Sequence, residues 1–229
     1  PDLPHQGPVR GAVHRDPADP RGTASLNIGG YKPLLVVVAG MADTNEEPGL
    51  GERSGGEAVV AVDADDTPQG TVDRIDAHTG DGIRHRAFTC MLFDKEGRVL
   101  LAQRARDKRL WDTHWDGTVA SHPVEGQSQV DATRERLEEE LGLTPDQYED
   151  LRVTDRFEYK RHYLDEGLEW EVCAVLQATV TDPDLDVDPA EVGGTLWVDY
   201  DDLWEHPRNY RQLRTCPWFD IAMRRDQQE

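Results

Sequence analysis

One segment near the middle of the sequence constrains the fold most, because it predicts a helix whose two ends are both defined. The helix covers residues 127–141, where Ser128 and Asp131 have the spacing of a capping box and Gly142 stands where helices usually stop. Leu137 and Leu141 lie four residues apart and predict one buried face. The segments on either side do not share this period, so the helix must pack against elements of another kind.

Apolar or alternating segments on both sides of this helix predict β-strands. The predicted strands are Val59–Val62, Arg86–Phe93, Arg98–Gln103, Glu169–Val180 and Thr195–Val198. The chain from Pro217 predicts a further helix, and residues 65–70 predict a turn. Strands before and after a central helix indicate the α+β class, with a mixed β-sheet flanked by helices. We expect one domain over residues 58–229.

The first 57 residues differ in composition from the rest of the chain. Residues 1–40 contain four basic and three acidic residues and are rich in Pro, Gly and Arg, without a sustained period of 2 or 3.6. Such a segment buries too little apolar surface to offset its chain entropy. We expect residues 1–57 to form a disordered N-terminal extension. We also expect residues 1–40 to lie upstream of the native protein, which would start at Met41; a secretory signal is disfavoured because the apolar centre is too short.

The charge of the chain restricts its partners and its environment. The net charge is −21, and a surface this negative repels nucleic-acid backbones and anionic membranes. Only four of the 25 basic residues are Lys, whereas 28 of the 46 acidic residues are Asp. At molar salt the Debye length falls to about 3 Å, which screens such a surface. The composition therefore predicts a halophilic protein, with an acidic mesophilic enzyme as the alternative.

The sequence also indicates a soluble, cytoplasmic protein. Its three cysteines, Cys90, Cys173 and Cys216, are too few for a disulfide framework and suit a reducing compartment. The longest apolar run, residues 33–40, is far shorter than the roughly 20 residues that span a bilayer. We expect a monomer that binds a small molecule, with neither nucleic acid nor a membrane as partner.

Three histidines and two glutamates form a candidate metal site. They are His78, His85, His122, Glu169 and Glu171. The two glutamates are two residues apart on a predicted strand and therefore face the same side. Imidazole and carboxylate ligands suit Mn²⁺, Zn²⁺ or Mg²⁺. From spacing alone, the alternative is a set of unrelated solvated surface residues.

The end of the central helix provides a second acidic cluster. Residues 137–143, LEEELGL, resemble the end of the Nudix signature, whose helical carboxylates bind the Mg²⁺ of a diphosphate. The first half of that signature differs, with Glu135-Arg136 in place of Arg-Glu, Gln127 in place of Glu and Ser121 in place of Gly. The resemblance implies a Nudix-like fold that does not hydrolyse diphosphates. The alternative is a solvated acidic helix face.

Five short motifs together are similar to type I isopentenyl diphosphate isomerases, in the order and near the spacing of that family. They are residues 76–79 (DAHT), 85–88 (HRAF), 121–123 (SHP), 169–173 (EWEVC) and 217–219 (PWF). The resemblance extends from about Val59 to Arg225. It implies a Nudix-like fold and the conversion of isopentenyl diphosphate into dimethylallyl diphosphate.

The resemblance implies two metal positions and a set of substrate contacts. The three histidines and two glutamates would form the protein-bound site, and Glu140 with the backbone carbonyl of Ala120 would bind Mg²⁺ that arrives with the diphosphate. Four basic residues match the positions that hold the diphosphate: Arg74, Arg104, Lys108 and Arg136. Glu171, oriented by Tyr159, would protonate the alkene, and Trp218 would cover the resulting carbocation with its π face.

One position departs from this family. Ala120 stands where the family has its catalytic cysteine, and a methyl group cannot transfer a proton. Cys216 is a possible substitute, Cys173 a weaker one, and water a third. The alternatives to an active isomerase are a Nudix diphosphate hydrolase and a catalytically impaired homologue that binds isoprenoid diphosphates.

Overall fold

The computed structural model describes residues 12–15, 23–27, 34–37 and 58–227. Its strands are β1 (Ala12–Arg15), β2 (Thr23–Asn27), β3 (Leu34–Val37), β4 (Ala58–Val62), β5 (Pro68–Asp73), β6 (His85–Phe93), β7 (Arg98–Arg104), β8 (Trp115–Asp116), β9 (Val119–Ser121), β10 (Tyr148–Tyr163), β11 (Gly167–Val180) and β12 (Val192–Asp199). Its α-helices are α1 (Arg74–Ala77), α2 (Gln129–Leu141), α3 (Tyr200–Glu205) and α4 (Pro217–Asp226), and a 3₁₀ turn covers Pro207–Tyr210.

The strands form one mixed sheet, in the order β1-β2-β3-β12-β7-β6-β11-β10. β6 and β11 are parallel, and their neighbours in this order pair antiparallel. The short strands β4, β8 and β9 pair with β6 or β7 beside this path, and β5 pairs with β4. A mixed sheet with helices confirms the predicted α+β class. The pairing of β6 with β11 matters most for function, because it aligns His85 with Glu171.

Two apolar clusters cover the two faces of the sheet, because alternate residues of a strand point to opposite sides. On β6, Ala87 and Met91 belong to the cluster that also contains Trp218 and Phe219 of α4. The intervening residues, such as Phe88, pack in the cluster that contains Leu137 and Leu141 of α2. Each face of the sheet is therefore covered by one of the two longer helices.

The predicted central helix is confirmed, with a start two residues later than expected. Ser128 is the N-cap, and its hydroxyl accepts a hydrogen bond from the backbone N–H of Asp131 at 3.1 Å. Gly142 ends the helix in the left-handed conformation, with φ at 67°. Both capping signals of the sequence thus have their expected geometry.

Other segments differ from the sequence-based expectations. The predicted turn at 65–70 is shorter, because Pro68 already begins β5. The long strand β10 was not predicted, since its many charged residues hide the apolar alternation. Three short strands lie within the N-terminal extension predicted to be disordered, and Met41 lies outside the described residues. Among the helices of the described part, none has the length and apolarity required to cross a bilayer.

Candidate active site

Five side chains converge where β6 and β11 begin their parallel pairing. His78 caps the end of α1, His85 opens β6, His122 follows β9, and Glu169 and Glu171 lie on β11. One ligand atom from each of these residues lies within 4.8 Å of every other. Four of the five residues are buried, and His122 is partly exposed. The sequence-predicted set is therefore brought together in full.

Backbone carbonyls fix the orientation of two of the imidazoles. The Nδ1–H of His78 donates to the carbonyl of Arg74 at 2.6 Å, and that of His85 donates to the carbonyl of Ile83 at 2.7 Å. Each ring therefore directs the lone pair of its Nε2 atom towards the centre of the cluster. The Nε2 atoms of His85 and His122 lie 3.1 Å apart. Such outer contacts are typical of histidines that bind metals.

The centre of the cluster has more lone pairs than protons. Oε2 of Glu169 lies 2.7 Å from Nε2 of His78, yet this buried oxygen has no hydrogen-bond donor when the His78 proton is on Nδ1. Oε1 of Glu171 lies 2.9 Å from Nε2 of His122 and 3.6 Å from that of His85. A divalent cation would satisfy all of these atoms at once. The residues present therefore fit a divalent metal ion.

The electrostatics of the cluster agree with this fit. Burial lowers the pKa of His122 to about 3, so its ring is neutral and can act as a ligand. Burial alone would raise the pKa of Glu171, but the hydrogen bond from His122 and the nearby ring of His85 reverse the shift and hold it well below its ordinary value. Burial and the nearby Glu171 raise the pKa of Glu169. One carboxylate is thus kept ionised beside neutral imidazole.

Tyr159 connects this cluster to the apolar core. It is the cross-strand partner of Glu171 in the β10–β11 pair, and its hydroxyl donates to Oε2 of Glu171 at 2.7 Å. Burial and the Glu171 charge raise the pKa of Tyr159 well above its ordinary value, so the hydroxyl keeps its proton. Glu171 therefore has one oxygen in the histidine cluster and the other bound to a phenol.

Trp218 of α4 contacts Tyr159, with the two ring centroids 6.3 Å apart. Its indole N–H lies between the two carboxylate oxygens of Asp116, 2.7 Å from Oδ1 and 2.8 Å from Oδ2. Trp111 contacts Trp218 edge-on at 5.3 Å, and the guanidinium of Arg104 lies 5.4 Å from the Trp218 ring. These contacts hold the ring in one orientation.

A cavity beside Trp218 contains the second predicted acidic position. Its lining includes Arg104, Lys108, Asp116, Ala120 and Glu140. Burial raises the pKa of Glu140 to about 7, against the opposing charge of Lys108. Lys108 forms an ion pair with Glu191, which also lines the cavity. A buried acid among cations, as found here, is suited to a diphosphate with its metal ion.

The remaining predicted residues lie around these two regions. Arg74 begins α1 close enough to the histidine cluster to lower the pKa of His122. Arg136 on α2 pairs with Glu139 at 3.1 Å and is close enough to Glu140 to lower its pKa. Cys216 caps α4 and Cys173 follows Glu171 on β11; both thiols are buried, and burial raises their pKa values well above the ordinary range.

Sequence reasoning did not identify Asp116 and Glu191 as parts of the site. Asp116 contacts Trp218 across 102 positions of sequence, and Glu191 pairs with Lys108 across 83. In a chain with 46 acidic residues, neither residue stands out by type. Asp116 is recognised as part of the site only in the folded structure, where β8 approaches α4.

Comparison with known proteins gives closely related sequences. The NUDIX domain profile matches residues 83–219. Proteins named isopentenyl-diphosphate Delta-isomerase are 70% identical in Halobacterium salinarum, over 82% of this chain and 87% of the relative, and 70% identical in Haloarcula marismortui, over 75% and 92%. A crystal structure from Deinococcus radiodurans superposes with a TM-score of 0.58 at 18% identity, over 73% of this chain and 98% of that one. The match of profile and structure confirms the Nudix-like fold.

Proposed function

We infer that the chain, which belongs to the isopentenyl-diphosphate Delta-isomerases of the Nudix fold, converts isopentenyl diphosphate into dimethylallyl diphosphate. The single structural observation that supports this inference is that Glu171 bridges the histidine cluster and Tyr159. One of its oxygens lies among the histidines and the other accepts the hydroxyl of Tyr159 at 2.7 Å. A carboxyl group held in this way can deliver a proton to a carbon atom next to an aromatic wall.

The reaction moves a double bond by adding one proton and removing another. Glu171 first takes up a proton and then, with Tyr159 as its hydrogen-bond partner, delivers it to the terminal CH₂ of the alkene, which leaves a tertiary carbocation. The π face of Trp218 stabilises that cation. Loss of a proton from the neighbouring CH₂ then gives the product, because the C–H electron pair becomes the new double bond. The surrounding apolar residues exclude water that would otherwise capture the cation.

The diphosphate would occupy the cavity beside Trp218. Arg104 is oriented for this role, because its Nε and Nη2 atoms donate to the carbonyls of Trp111 and Leu110 at 3.1 and 3.0 Å. Lys108 would add a second positive charge, and Arg136 and Arg74 would contribute at the rim. Glu140 and the carbonyl of Ala120 would hold Mg²⁺ with the diphosphate. A bound ion of this kind would neutralise phosphate charge and fix its orientation.

The histidine cluster would hold a protein-bound divalent ion, for which Mn²⁺, Zn²⁺ and Mg²⁺ are the candidates. Its support is the convergence of five ligand atoms and the unsatisfied oxygen of Glu169. When bound, the ion would act as a Lewis acid that fixes one oxygen of Glu171.

We further propose a monomeric, cytoplasmic protein that is adapted to high salt. The adaptation to salt is supported by the net charge of −21 and by the relatives in Halobacterium and Haloarcula.

A product assay tests the function. The purified full chain is incubated with isopentenyl diphosphate, Mg²⁺ and Mn²⁺ in molar KCl, and the organic product is identified by NMR. Dimethylallyl diphosphate is the expected product. Release of phosphate or pyrophosphate would instead indicate a hydrolase, and substrate binding without turnover would indicate an impaired homologue. Either of these results would contradict the proposal.

A further inference from the structure

One buried carboxylate of the site is still without a function. Among the described residues, the buried acids are Asp116, Glu140, Glu169 and Glu171. Three of these have a place in the proposed metal sites, whereas Asp116 has none. A carboxylate that is only 4% exposed has a large desolvation cost, so its presence in a catalytic cavity calls for an explanation.

The contacts of Asp116 leave one oxygen lone pair for a further partner. Oδ1 accepts hydrogen bonds from the backbone N–H of Gly117 at 2.7 Å and from the indole of Trp218. Within the part of the chain that the structure describes, Oδ2 accepts a hydrogen bond from Trp218 alone. Nη1 of Arg104 is 3.9 Å from Oδ2, which is too long for a hydrogen bond.

The position of Asp116 relates it directly to the proposed chemistry. It lines the same cavity as Ala120, whose methyl group offers no proton-transfer chemistry. It is also hydrogen-bonded to Trp218, the ring proposed to cover the cation. Tyr159, which is hydrogen-bonded to Glu171, contacts the same ring, with the two ring centroids 6.3 Å apart. Asp116 therefore contacts the Trp218 ring directly, and Glu171 is connected to it through Tyr159.

We propose that Asp116 is the second proton-transfer residue of the isomerisation, the base that removes a proton from the CH₂ next to the cationic carbon. This inference rests on the proposed function. Glu171 gives up one proton to the terminal carbon, Asp116 accepts one from the neighbouring carbon, and the C–H electron pair forms the new C=C bond. The enzyme is restored when Asp116 releases its proton and Glu171 regains one.

The groups around Asp116 support a basic role. Burial raises its pKa to about 6, and Arg104 of β7 opposes the shift. Glu171 of β11 raises the pKa further. The Cys216 thiol of α4 and the Cys173 thiol of β11 are close enough for Asp116 to raise their pKa values. Asp116 is thus ionised at neutral pH, whereas both thiols remain protonated and are poor bases.

The test exchanges the proposed base between two positions. Asp116→Asn keeps an oxygen that can accept from Trp218 but cannot take a proton. We expect it to lower kcat about 10²- to 10⁴-fold, with substrate binding retained. Adding Ala120→Cys to this variant introduces a thiol in the same cavity, and we expect it to restore kcat at least about tenfold. Asp226→Asn is the matched control, since Asp226 accepts from Gln177 and Tyr200 and does not line the cavity.

The pH profile gives a second measurement. In the unmodified protein kcat should rise with pH through about 6, because the ionised form of Asp116 is the active one. In the Asp116→Asn/Ala120→Cys protein the rise of kcat should occur at higher pH, since a thiol has an ordinary pKa of about 8.5.

Two results would overturn the assignment. One is Asp116→Asn activity within about threefold of the unmodified protein. The other is a loss that Ala120→Cys does not restore, which would mean that Asp116 only positions Trp218 and Arg104. Failure of the unmodified protein to form dimethylallyl diphosphate would instead contradict the proposed function itself. Circular dichroism and substrate binding confirm that each variant is folded.

Discussion

At the scale of single residues, Glu171 acts through two different hydrogen-bonding environments. Its Oε1 atom faces the imidazoles of His122 and His85, and its Oε2 atom accepts a hydrogen bond from the Tyr159 hydroxyl. A carboxyl group in this position has a fixed direction, although it is buried. The site therefore depends on a few short contacts, and the loss of any one of them should change activity more than stability.

Tyr159→Phe removes one of these contacts and keeps the ring. We expect kcat to fall about 10- to 100-fold, because a hydrogen bond to a charged group contributes about 1.5–3 kcal/mol. The melting temperature should change little, since the ring still packs against Phe157 and Trp218. Tyr163→Phe is the control, because the Tyr163 hydroxyl donates to Asp112 at 2.7 Å and does not contact Glu171. Equal kcat values for the two variants would rule out an orienting role for Tyr159.

His85→Ala tests the metal centre without relying on activity. Removing a ligand should lower affinity for a divalent ion at least about 100-fold, since even the loss of an outer contact costs 10- to 100-fold. Metal content after dialysis, measured by mass spectrometry, is the readout. His162→Ala, which changes an exposed histidine on β10, should keep the metal. An unchanged metal content in His85→Ala would show that the cluster is not the binding site.

The sequence was sufficient to predict residues whose roles follow from local pattern or resemblance. Glu169 and Glu171 could be assigned to one face because strand residues alternate with a period of two. Asp116 could not be found in this way. Its function depends on burial and on an indole from α4, and neither property is visible in a chain where Asp is the commonest acid.

At the scale of elements, the capping residues Ser128 and Gly142 set the two ends of α2, and this helix places Glu140 in the cavity. The backbone N–H groups of Asp186 and Asp188 donate to the carbonyls of Leu141 and Glu140 at 2.9 and 3.0 Å. The acidic loop of residues 182–189 therefore packs on the last turn of the helix that carries Glu140. Such a contact was not predictable, because an acidic loop and an acidic helix are expected to repel each other in dilute solution.

Gly142→Ala should disturb this junction. Gly142 has φ at 67°, and an added Cβ would lie 2.7 Å from Cβ of Asp186. The left-handed conformation alone costs about 1–2 kcal/mol for a residue with a side chain, and the clash adds to it. We expect a loss of about 2–4 kcal/mol in the free energy of unfolding, measured by urea titration in molar KCl.

Gly97→Ala is the matched control for this substitution. Gly97 has φ at 77°, but nothing lies within 4 Å of the added Cβ. It should therefore show the conformational cost without the clash. If the two variants lose the same stability, the contact between α2 and the acidic loop is not tightly packed.

The strand β10, which the sequence did not predict, also belongs to the scale of elements. Its conformation is determined more by the long hairpin with β11 than by its own sequence.

At the scale of the whole molecule, charge dominates over any single contact. The net charge of −21 is distributed over a chain of 229 residues, which has only 25 Lys and Arg side chains to pair with 46 acidic ones. The acidic residues are therefore in excess, and the folded state holds their charges closer together than the unfolded chain does. In dilute buffer this repulsion destabilises the folded state. The class of fold was predictable from strand and helix patterns, whereas the salt range in which the fold is stable stays a prediction from composition.

Stability should therefore increase as KCl rises from dilute buffer to molar concentration. The Debye length shortens from about 30 Å at 0.01 M to about 3 Å at 1 M, so repulsion between surface carboxylates is removed progressively. Melting temperature, followed by circular dichroism, should rise over this range. A variant with the exposed acids Glu125, Asp165 and Glu205 changed to their amides should melt higher in dilute buffer and gain less from salt. A melting temperature that is constant or falls with KCl would contradict adaptation to high salt, because screening would then have no repulsion to relieve.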